Sequence, residues 1–172
     1  MKTVYFDNNA TTKIAPEVFD EIKPYLTDLY GNPSSMHTFG GALRNKIEEA
    51  RAKVADLIGA EPEEIVFMSC GTESDNTALM GAVESYPQKR HMVTTRVEHP
   101  AVFNFVKHLA RKCFRATFLP VDSKGRLDMN VFSKAIDDDT SVVSIMYANN
   151  ETGVIFPIEE IGEILRERKI LF

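Results

Sequence analysis

The 172-residue sequence has no tryptophan and only two cysteines, Cys70 and Cys113. Neither cysteine belongs to a C-x-x-C pair or lies near clustered histidines, which argues against a disulfide framework and against a metal site. No apolar run approaches the roughly 20 residues that a membrane-spanning helix needs, and Met1 leads into a strand pattern rather than a signal peptide. We therefore expect a cytoplasmic protein with reduced thiols, no bound metal and no membrane partner.

An excess of positive charge is also missing. Lysine and arginine number 20 against 25 acidic residues, for a formal net charge of -5, and the basic residues are scattered along the chain. This balance gives no electrostatic reason to expect nucleic acid as a partner. What the sequence does contain is 44% hydrophobic and 26% charged residues, a composition typical of a globular protein with a real core.

Strand patterns alternate with helix patterns along most of the chain. Helices are predicted to begin near Pro16, Gly41 and Pro100, the second with an apolar stripe that we expect to be core and with Gly59 as its end. Such alternation predicts an α/β fold, a mostly parallel sheet with helices on both faces. The predicted strands cover residues 3–6, 65–67, 91–97, 115–119, 141–148 and the start of one more at 170–172.

The stretch EIVFMSCGTESDN, residues 64–76, combines a short strand with a small, polar turn and the start of a helix. Gly71 permits a tight turn, and Thr72 or Ser74 is predicted to cap the helix. A helix start presents free N–H groups and partial positive charge, so it can hold a phosphate. The alternative is an ordinary helix start with nothing bound.

Three predicted strands end in polar clusters, and in parallel sheets ligands collect beyond the carboxyl ends of the strands. We therefore predict that the three clusters converge on one ligand, although they could also be unrelated loops. A phosphate site, an imidazole and an amide together suggest a phosphorylated, aromatic small molecule. The clusters are Gly71-Thr72-Glu73, Glu98-His99 and Asn149-Asn150-Glu151.

Each candidate residue also has a simpler interpretation. His99 could be a helix-entry histidine that bonds to local backbone, and the other histidines are assigned to such structural roles or to the surface. Asn149 and Asn150 could merely shape a turn. Cys70 follows an apolar strand pattern and is predicted to be a small buried residue whose pKa a helix start could lower, not a nucleophile.

Six motifs follow one another across the whole chain: FDNNATT (6–12), GNPSSMH (31–37), SCGTESDN (69–76), VEHPAV (97–102), VDSKGRLD (121–128) and ANNETG (148–153). In this order they resemble the motifs of the NifS-like cysteine desulfurases, which are pyridoxal-phosphate (PLP) enzymes of the class V aminotransferase family. The resemblance implies an aspartate-aminotransferase-type fold. Residues 1–15 would be an amino-terminal segment that packs with the small domain and the active site, and residues 16–172 the amino-terminal part of the PLP-binding large domain.

The resemblance also implies a function and a site. Such enzymes are homodimers that take sulfur from L-cysteine, give L-alanine and an enzyme persulfide, and pass the sulfur to an iron–sulfur scaffold protein. Gly71 and Thr72 would bind the phosphate of PLP, and His99 would stack on the pyridine ring and assist proton transfer. Asn150 would lie beside the phenolic oxygen of the cofactor. Three residues are expected near the substrate: Asn8, Asn9 and Ala10.

The family pattern continues beyond Phe172. None of the lysines of this sequence has the context of the family's Schiff-base lysine, and neither cysteine matches the catalytic loop. We therefore expect a truncated, inactive chain that exposes apolar surface and tends to aggregate. Alternative functions are a selenocysteine lyase or aminotransferase of the same fold, and a non-catalytic phosphate-binding or assembly module.

Overall fold

The computed structural model describes residues 3–172. The chain divides into two compact units, Met1–Phe67 and Met68–Phe172, here called the first and the second unit. The two units are defined by their compactness. They do not correspond to the predicted segments 1–15 and 16–172, which the family resemblance implies. That subdivision stays a prediction. No helix within residues 3–172 is both long enough and apolar enough to cross a membrane.

The first unit contains two helices, α1 at Pro16–Thr27 and α2 at Thr38–Ile58, followed by a short 3-10 helix at Pro62–Glu64. Proline suits the first position of α1 because that position has no intrahelical acceptor for an N–H group. The Nδ1 atom of His37 caps α2 by accepting a hydrogen bond from the Gly40 N–H at 3.2 Å. The predicted end of α2 is confirmed, since Gly59 lies in the left-handed region with φ 68°, where glycine is favoured.

Three predictions for the first unit are wrong. The segments 3–6 and 65–67 are not strands, because within the described part of the unit no neighbouring segment offers them a ladder of hydrogen bonds. Val66 is accordingly 67% exposed. The apolar stripe of α2 is not core either: Leu43 is buried, whereas Leu57 is 83% exposed. Apolar spacing alone predicts a face that can be covered, not that it is covered.

The second unit has a parallel sheet of the strands β1 (His91–Thr95), β2 (Arg115–Leu119) and β3 (Thr140–Ser144). They lie side by side in the order β2-β1-β3. Val93 in the middle strand pairs with Thr117 on one side and Val143 on the other. The further strand predicted at 170–172 is reduced to a single parallel bridge between Val142 and Leu171. In chain order the elements are α3 Gly71–Ser85, β1 His91–Thr95, α4 Pro100–Ala110, β2 Arg115–Leu119, α5 Met129–Ala135, β3 Thr140–Ser144 and α6 Ile158–Glu167.

The sheet is covered on both faces, as predicted, because neighbouring residues of a strand point to opposite faces. Met92 belongs to the core formed with α3 and α4, and the adjacent Val93 belongs to the core formed with α5 and α6. The first core contains Leu79, Val83, Met92, Val102, Val106, Leu109 and Val142. The second contains Val93, Leu119, Phe132, Ile136, Val143, Ile145, Phe156, Ile161, Leu165 and Ile170.

The strands β1 and β3 end earlier than predicted, at Thr95 and Ser144. Beyond β3 the Met146 N–H donates to the carboxylate of Glu98 at 3.0 Å instead of continuing the ladder of the sheet. The connections after β1 and β3 therefore leave the sheet as irregular backbone. These two connections carry two of the three polar clusters.

Candidate functional site

Helix α3 begins at Gly71, with Cys70 as its N-cap residue. The predicted caps Thr72 and Ser74 lie inside the first turn instead, and the Ser74 N–H donates to the Cys70 carbonyl at 3.1 Å. Gly71 is the first residue of the helix and does not have a positive φ, so the tight turn predicted there does not use the conformational freedom of glycine. The first N–H groups of α3 find no acceptor within the helix, so the predicted donor site for an anion is compatible with this geometry.

Glu73 has a separate role at the same helix start. Its carboxylate accepts a hydrogen bond from the Ser69 N–H at 2.6 Å. This bond holds the segment before the helix against the first turn, as a capping glutamate does. The Ser69 backbone N–H also lowers the pKa of Glu73. At neutral pH the side chain is therefore anionic and hydrogen-bonded to Ser69.

Cys70 is exposed, so the prediction that it is buried is wrong. The strand that was expected to bury it does not form. The backbone N–H of Glu73 and the hydroxyl of Ser69, whose Oγ lies 3.8 Å from the sulfur, lower the pKa of the Cys70 thiol. The thiol is thus more readily ionised than a free cysteine.

The start of α3 and the start of α4 border one cleft of about 390 Å³, within the size range of small-molecule sites. The structure therefore brings Thr72 and His99 together, as predicted, with Gly71 next to Thr72 in the chain. Asn76 was not singled out, although its i, i+4 spacing from Thr72 places both on the same face of α3. The cleft is lined by Thr72, Asn76, His99, Pro100, Ala101, Asn104 and Phe105.

His99 is the N-cap residue of α4, and its Nδ1 atom accepts a hydrogen bond from the Ala101 N–H at 3.2 Å. The interpretation as a helix-entry histidine is thus confirmed, and the same residue lines the cleft. Because Nδ1 is an acceptor, the proton of the neutral ring lies on Nε2. The cap therefore fixes both the position and the tautomer of the imidazole.

Asn76 carries a polar atom that needs a partner. Among the described residues, its Oδ1 is a buried acceptor without a hydrogen-bond donor. Buried polar atoms are normally satisfied by protein, water or ligand. The Asn76 oxygen in the lining of the cleft therefore needs a donor from water or from a ligand, while the N–H groups at the start of α3 are the part of the site that suits an anion.

The third cluster forms a tight turn after β3. Asn149 is buried and shapes this turn, since its Oδ1 accepts hydrogen bonds from the N–H groups of Glu151 and Thr152 at 3.0 and 2.9 Å. Its Nδ2 donates to the Val97 carbonyl at 3.0 Å. Asn150 is exposed and donates to Glu151 at 3.2 Å. Within the described chain, Asn150 is not among the residues that line the cleft, so only two of the three clusters meet there.

The predicted substrate-proximal residues, Asn8, Asn9 and Ala10, lie in the first unit. They are exposed and form a turn, which is closed by hydrogen bonds from the N–H groups of Ala10 and Thr11 to the Asp7 carbonyl at 3.2 and 3.4 Å. Their role near the substrate stays a prediction.

Comparison with known protein families gives one match that covers nearly the whole chain: the aminotransferase class-V family matches residues 4–172. A cysteine desulfurase of Nostoc sp. is 54% identical over 172 residues, which are 100% of this chain and 43% of that protein. Cysteine desulfurase NifS of Azotobacter vinelandii is 46% identical over 173 residues, again 43% of its length. The chain thus spans less than half the length of these curated relatives.

Solved structures give the same result for the fold. A NifS-like protein matches with a TM-score of 0.93 and 42% identity, over 98% of this chain and 47% of that chain. A structure described as SspA in complex with cysteine matches with a TM-score of 0.91 and 36% identity, over 98% of this chain and 49% of that chain. These likenesses confirm the predicted α/β fold of the aspartate-aminotransferase type, of which the chain is a part.

Proposed function

Since the chain belongs to the aminotransferase class-V family, we propose that it supplies the phosphate-binding side of a PLP site in a cysteine desulfurase. The protein would remove sulfur from L-cysteine and give L-alanine and an enzyme persulfide for iron–sulfur cluster assembly. The observation that carries this proposal is that Thr72, at the start of α3, and His99, at the start of α4, line one cleft. The relatives named cysteine desulfurase support the choice of reaction.

Gly71 and Thr72 are the residues that would bind the phosphate of PLP. Their N–H groups lie in the first turn of α3, where the helix offers them no acceptor and its dipole favours an anion. The Thr72 hydroxyl adds a further donor. These donors fit a phosphate group, whereas the unsatisfied carboxamide oxygen of Asn76 in the same lining needs a donor and would not contact the phosphate. When bound, PLP supplies an electron sink for charge that develops on the substrate.

His99 would stack on the ring of the cofactor and hold a proton close to the reacting atoms. Its Nδ1 accepts from the Ala101 N–H, so in the neutral ring the Nε2–H is the group that can donate toward the ligand. A ring fixed in one tautomer is suited to proton transfer because its proton does not have to be relocated first. Asn150 would lie beside the phenolic oxygen of the cofactor, and Asn8, Asn9 and Ala10 near the substrate.

The partners follow from the same proposal. We propose L-cysteine as the substrate, an iron–sulfur scaffold protein as the sulfur acceptor, a homodimer as the assembly and the cytoplasm as the location. No lysine within residues 1–172 has the family's Schiff-base context, and neither Cys70 nor Cys113 has the context of the catalytic cysteine. Residues 1–172 by themselves should therefore not turn over L-cysteine.

The phosphate site is tested by Thr72→Ala, with Thr77→Ala on the same helix as the matched control. In the protein to which residues 1–172 belong, loss of one hydroxyl contact should weaken PLP binding about fivefold to tenfold. Thr77 does not line the cleft with Thr72 and His99 among the described residues, so Thr77→Ala should bind PLP as the unchanged protein does. Equal affinities of the two variants would contradict the site.

The reaction is tested by supplying L-cysteine and measuring L-alanine and sulfide. With a thiol reductant present to reduce the enzyme persulfide to sulfide, the protein should release both, whereas residues 1–172 with added PLP should release neither. Borohydride reduction provides a second measurement on residues 1–172, because a Schiff base fixed at one defined lysine would contradict their expected inactivity. Production of a keto acid instead of L-alanine would favour an aminotransferase.

A further inference from the structure

His99 lies in the connection that follows β1, and Asn150 lies in the connection that follows β3. Both connections are outside the hydrogen-bonded part of the sheet. The last residues that pair between β1 and β3 are Thr94 and Ser144. Backbone hydrogen bonds of the sheet therefore do not fix how the two connections lie relative to each other. Something else must hold them if His99 and Asn150 are to act on one ligand.

Two reciprocal hydrogen bonds join these connections. From the first connection, the Glu98 carboxylate accepts a bond from the Met146 N–H at 3.0 Å. From the second connection, the Asn149 amide donates to the Val97 carbonyl at 3.0 Å. Each connection thus contributes one side chain to the backbone of the other. We call Glu98 and Asn149 the clamp.

Both members of the clamp are also held by their own connection. The Glu98 oxygen that accepts from Met146 also accepts a bond from the Thr95 hydroxyl at 2.9 Å, and Thr95 is buried at the end of β1. On the other side, the Asn149 oxygen holds the N–H of Thr152 at 2.9 Å, which closes the turn that contains Asn150. A shift of either clamp residue would therefore move one site residue relative to the other.

We propose that Glu98 and Asn149 are positioning residues that set the placement of Asn150 relative to His99. The proposal rests on the proposed function, which assigns His99 and Asn150 to the cofactor. Among the described residues, neither clamp residue lines the cleft with Thr72 and His99. They act on the site through the residues next to them in the chain.

Substitutions of the two clamp residues can distinguish the effect of their hydrogen bonds from the effect of side-chain charge. Burial raises the pKa of Glu98, and the contact it makes requires only an oxygen acceptor. In Glu98→Gln the amide oxygen can accept the same two bonds, so this variant should keep the clamp, whereas Glu98→Ala removes it. Asn149→Asp keeps the acceptor that shapes the turn but replaces the donor by an oxygen that faces the Val97 carbonyl.

The test uses the whole protein and two measurements that do not depend on turnover. The first, in the protein without cofactor, is hydrogen exchange at the Met146 amide, which should become faster in Glu98→Ala and stay slow in Glu98→Gln. The second is the affinity for PLP together with the circular dichroism of the bound cofactor. Glu98→Ala and Asn149→Asp should bind about tenfold more weakly, the effect of one lost hydrogen bond of this kind, and should alter the dichroism.

The pH dependence of Asn149→Asp gives a signature that general destabilisation would not produce. At low pH the introduced carboxyl gains a proton and can again donate to the Val97 carbonyl. The loss of PLP affinity in this variant, relative to the unchanged protein at each pH, should therefore shrink as the pH falls. Glu98→Ala, which has no group to protonate, should show no such recovery.

The outcomes distinguish this proposal from the proposed function. The clamp is overturned if Glu98→Ala and Asn149→Asp bind PLP with normal affinity and dichroism while His99→Ala changes both. If Thr72→Ala and His99→Ala also leave PLP binding unchanged, the proposed function fails and the clamp proposal fails with it. Should Glu98→Ala not fold, the nearly isosteric Asn149→Asp and Glu98→Gln still decide the question, since only the former should weaken binding.

Discussion

The Nδ1 atom of His91 lies 2.8 Å from the Thr140 hydroxyl oxygen, and this contact joins β1 to β3 at their amino ends. The Nε2 atom of the same ring lies 2.8 Å from the Thr117 hydroxyl of β2. Thr140 donates to Asp137 and accepts from its N–H, at 3.2 and 3.0 Å, so its remaining lone pair can accept the His91 Nδ1–H. A neutral, fully buried imidazole thus bridges all three strands.

This arrangement predicts a stability that depends on pH. Burial, with the nearby Arg115 as a second cause, lowers the pKa of His91, although Asp137 and Asp139 act in the opposite direction. The unfolded chain, with a histidine pKa of about 6.5, therefore takes up the proton first. The stabilisation is present above about pH 6.5 and is lost as the pH falls through the folded-state pKa. Urea unfolding from about pH 7.5 to about pH 5 should show this decrease.

The variant His91→Gln removes the titrating group. It should flatten the part of the pH dependence that belongs to His91, and it should cost about 1–3 kcal/mol near neutral pH because two hydroxyl partners lose their ring nitrogen. The matched control is His108→Gln, since His108 is exposed. An unchanged slope in His91→Gln would show that another group causes the pH dependence.

Two glycines of the second unit should respond to alanine in opposite directions. Gly125 has φ 79°, and a Cβ there would meet the Val154 Cγ2 at 3.1 Å. Gly125→Ala should therefore destabilise the fold by about 1–3 kcal/mol. Gly81 lies in α3 with no atom within 4 Å of a new Cβ, so Gly81→Ala should stabilise by about 0.5–1 kcal/mol. The melting temperatures of the two variants measure these effects. Equal shifts of the melting temperature would contradict the different backbone environments of Gly125 and Gly81.

The cap of α5 provides a third prediction. The Asp128 carboxylate accepts a hydrogen bond from the Asn130 N–H at 2.8 Å. Asp128→Ala should lower the free energy of unfolding by about 1 kcal/mol, whereas Asp128→Asn keeps a capping oxygen and should cost much less. Urea denaturation of both variants checks the difference. A loss of the same size in both would indicate that charge, rather than the hydrogen bond, is what matters at this position.

Substitutions of a buried leucine and of an exposed leucine should affect stability and association differently. Leu79 is 5% exposed in the core between α3 and the sheet, and Leu57 in α2 is 83% exposed. Leu79→Ala should cost about 2–5 kcal/mol, whereas Leu57→Lys should change stability by less than about 0.5 kcal/mol. Because Leu57 belongs to an exposed apolar surface, Leu57→Lys should also shift residues 1–172 toward smaller species in size-exclusion chromatography. No shift would mean that this surface does not cause association.

The sequence pattern was sufficient where local signals and long-range packing agree. The strand at Arg115–Leu119 has the predicted bounds, and the helix beginning at Pro100 starts where its proline indicates. The prediction was wrong at 65–67. The β-branched and aromatic residues there are typical of a strand, but no segment pairs with them in the described part of their unit. A strand depends on a partner that composition does not reveal.

The candidate site shows the same limit. The rule that ligands collect at one edge of a parallel sheet predicts that Thr72 and His99 converge, yet the strand expected before Thr72 does not form, so the rule accounts only for the position of His99. The bond between Asn149 and the Val97 carbonyl joins residues far apart in sequence, and no local pattern predicts it. The cap at Cys70 was missed because a glutamate that reaches back to the Ser69 N–H takes the place of a threonine or serine cap.

The alternation of Met92 and Val93 between the two cores has a consequence for how the chain can change. Insertion or deletion of a single residue near the start of β1 would reverse which side chains face each helical layer. Since β1 is bonded to both β2 and β3, such a change would misalign two interfaces at once and could not be absorbed at a free edge. Natural length variation should therefore be found in surface turns and not in this central strand.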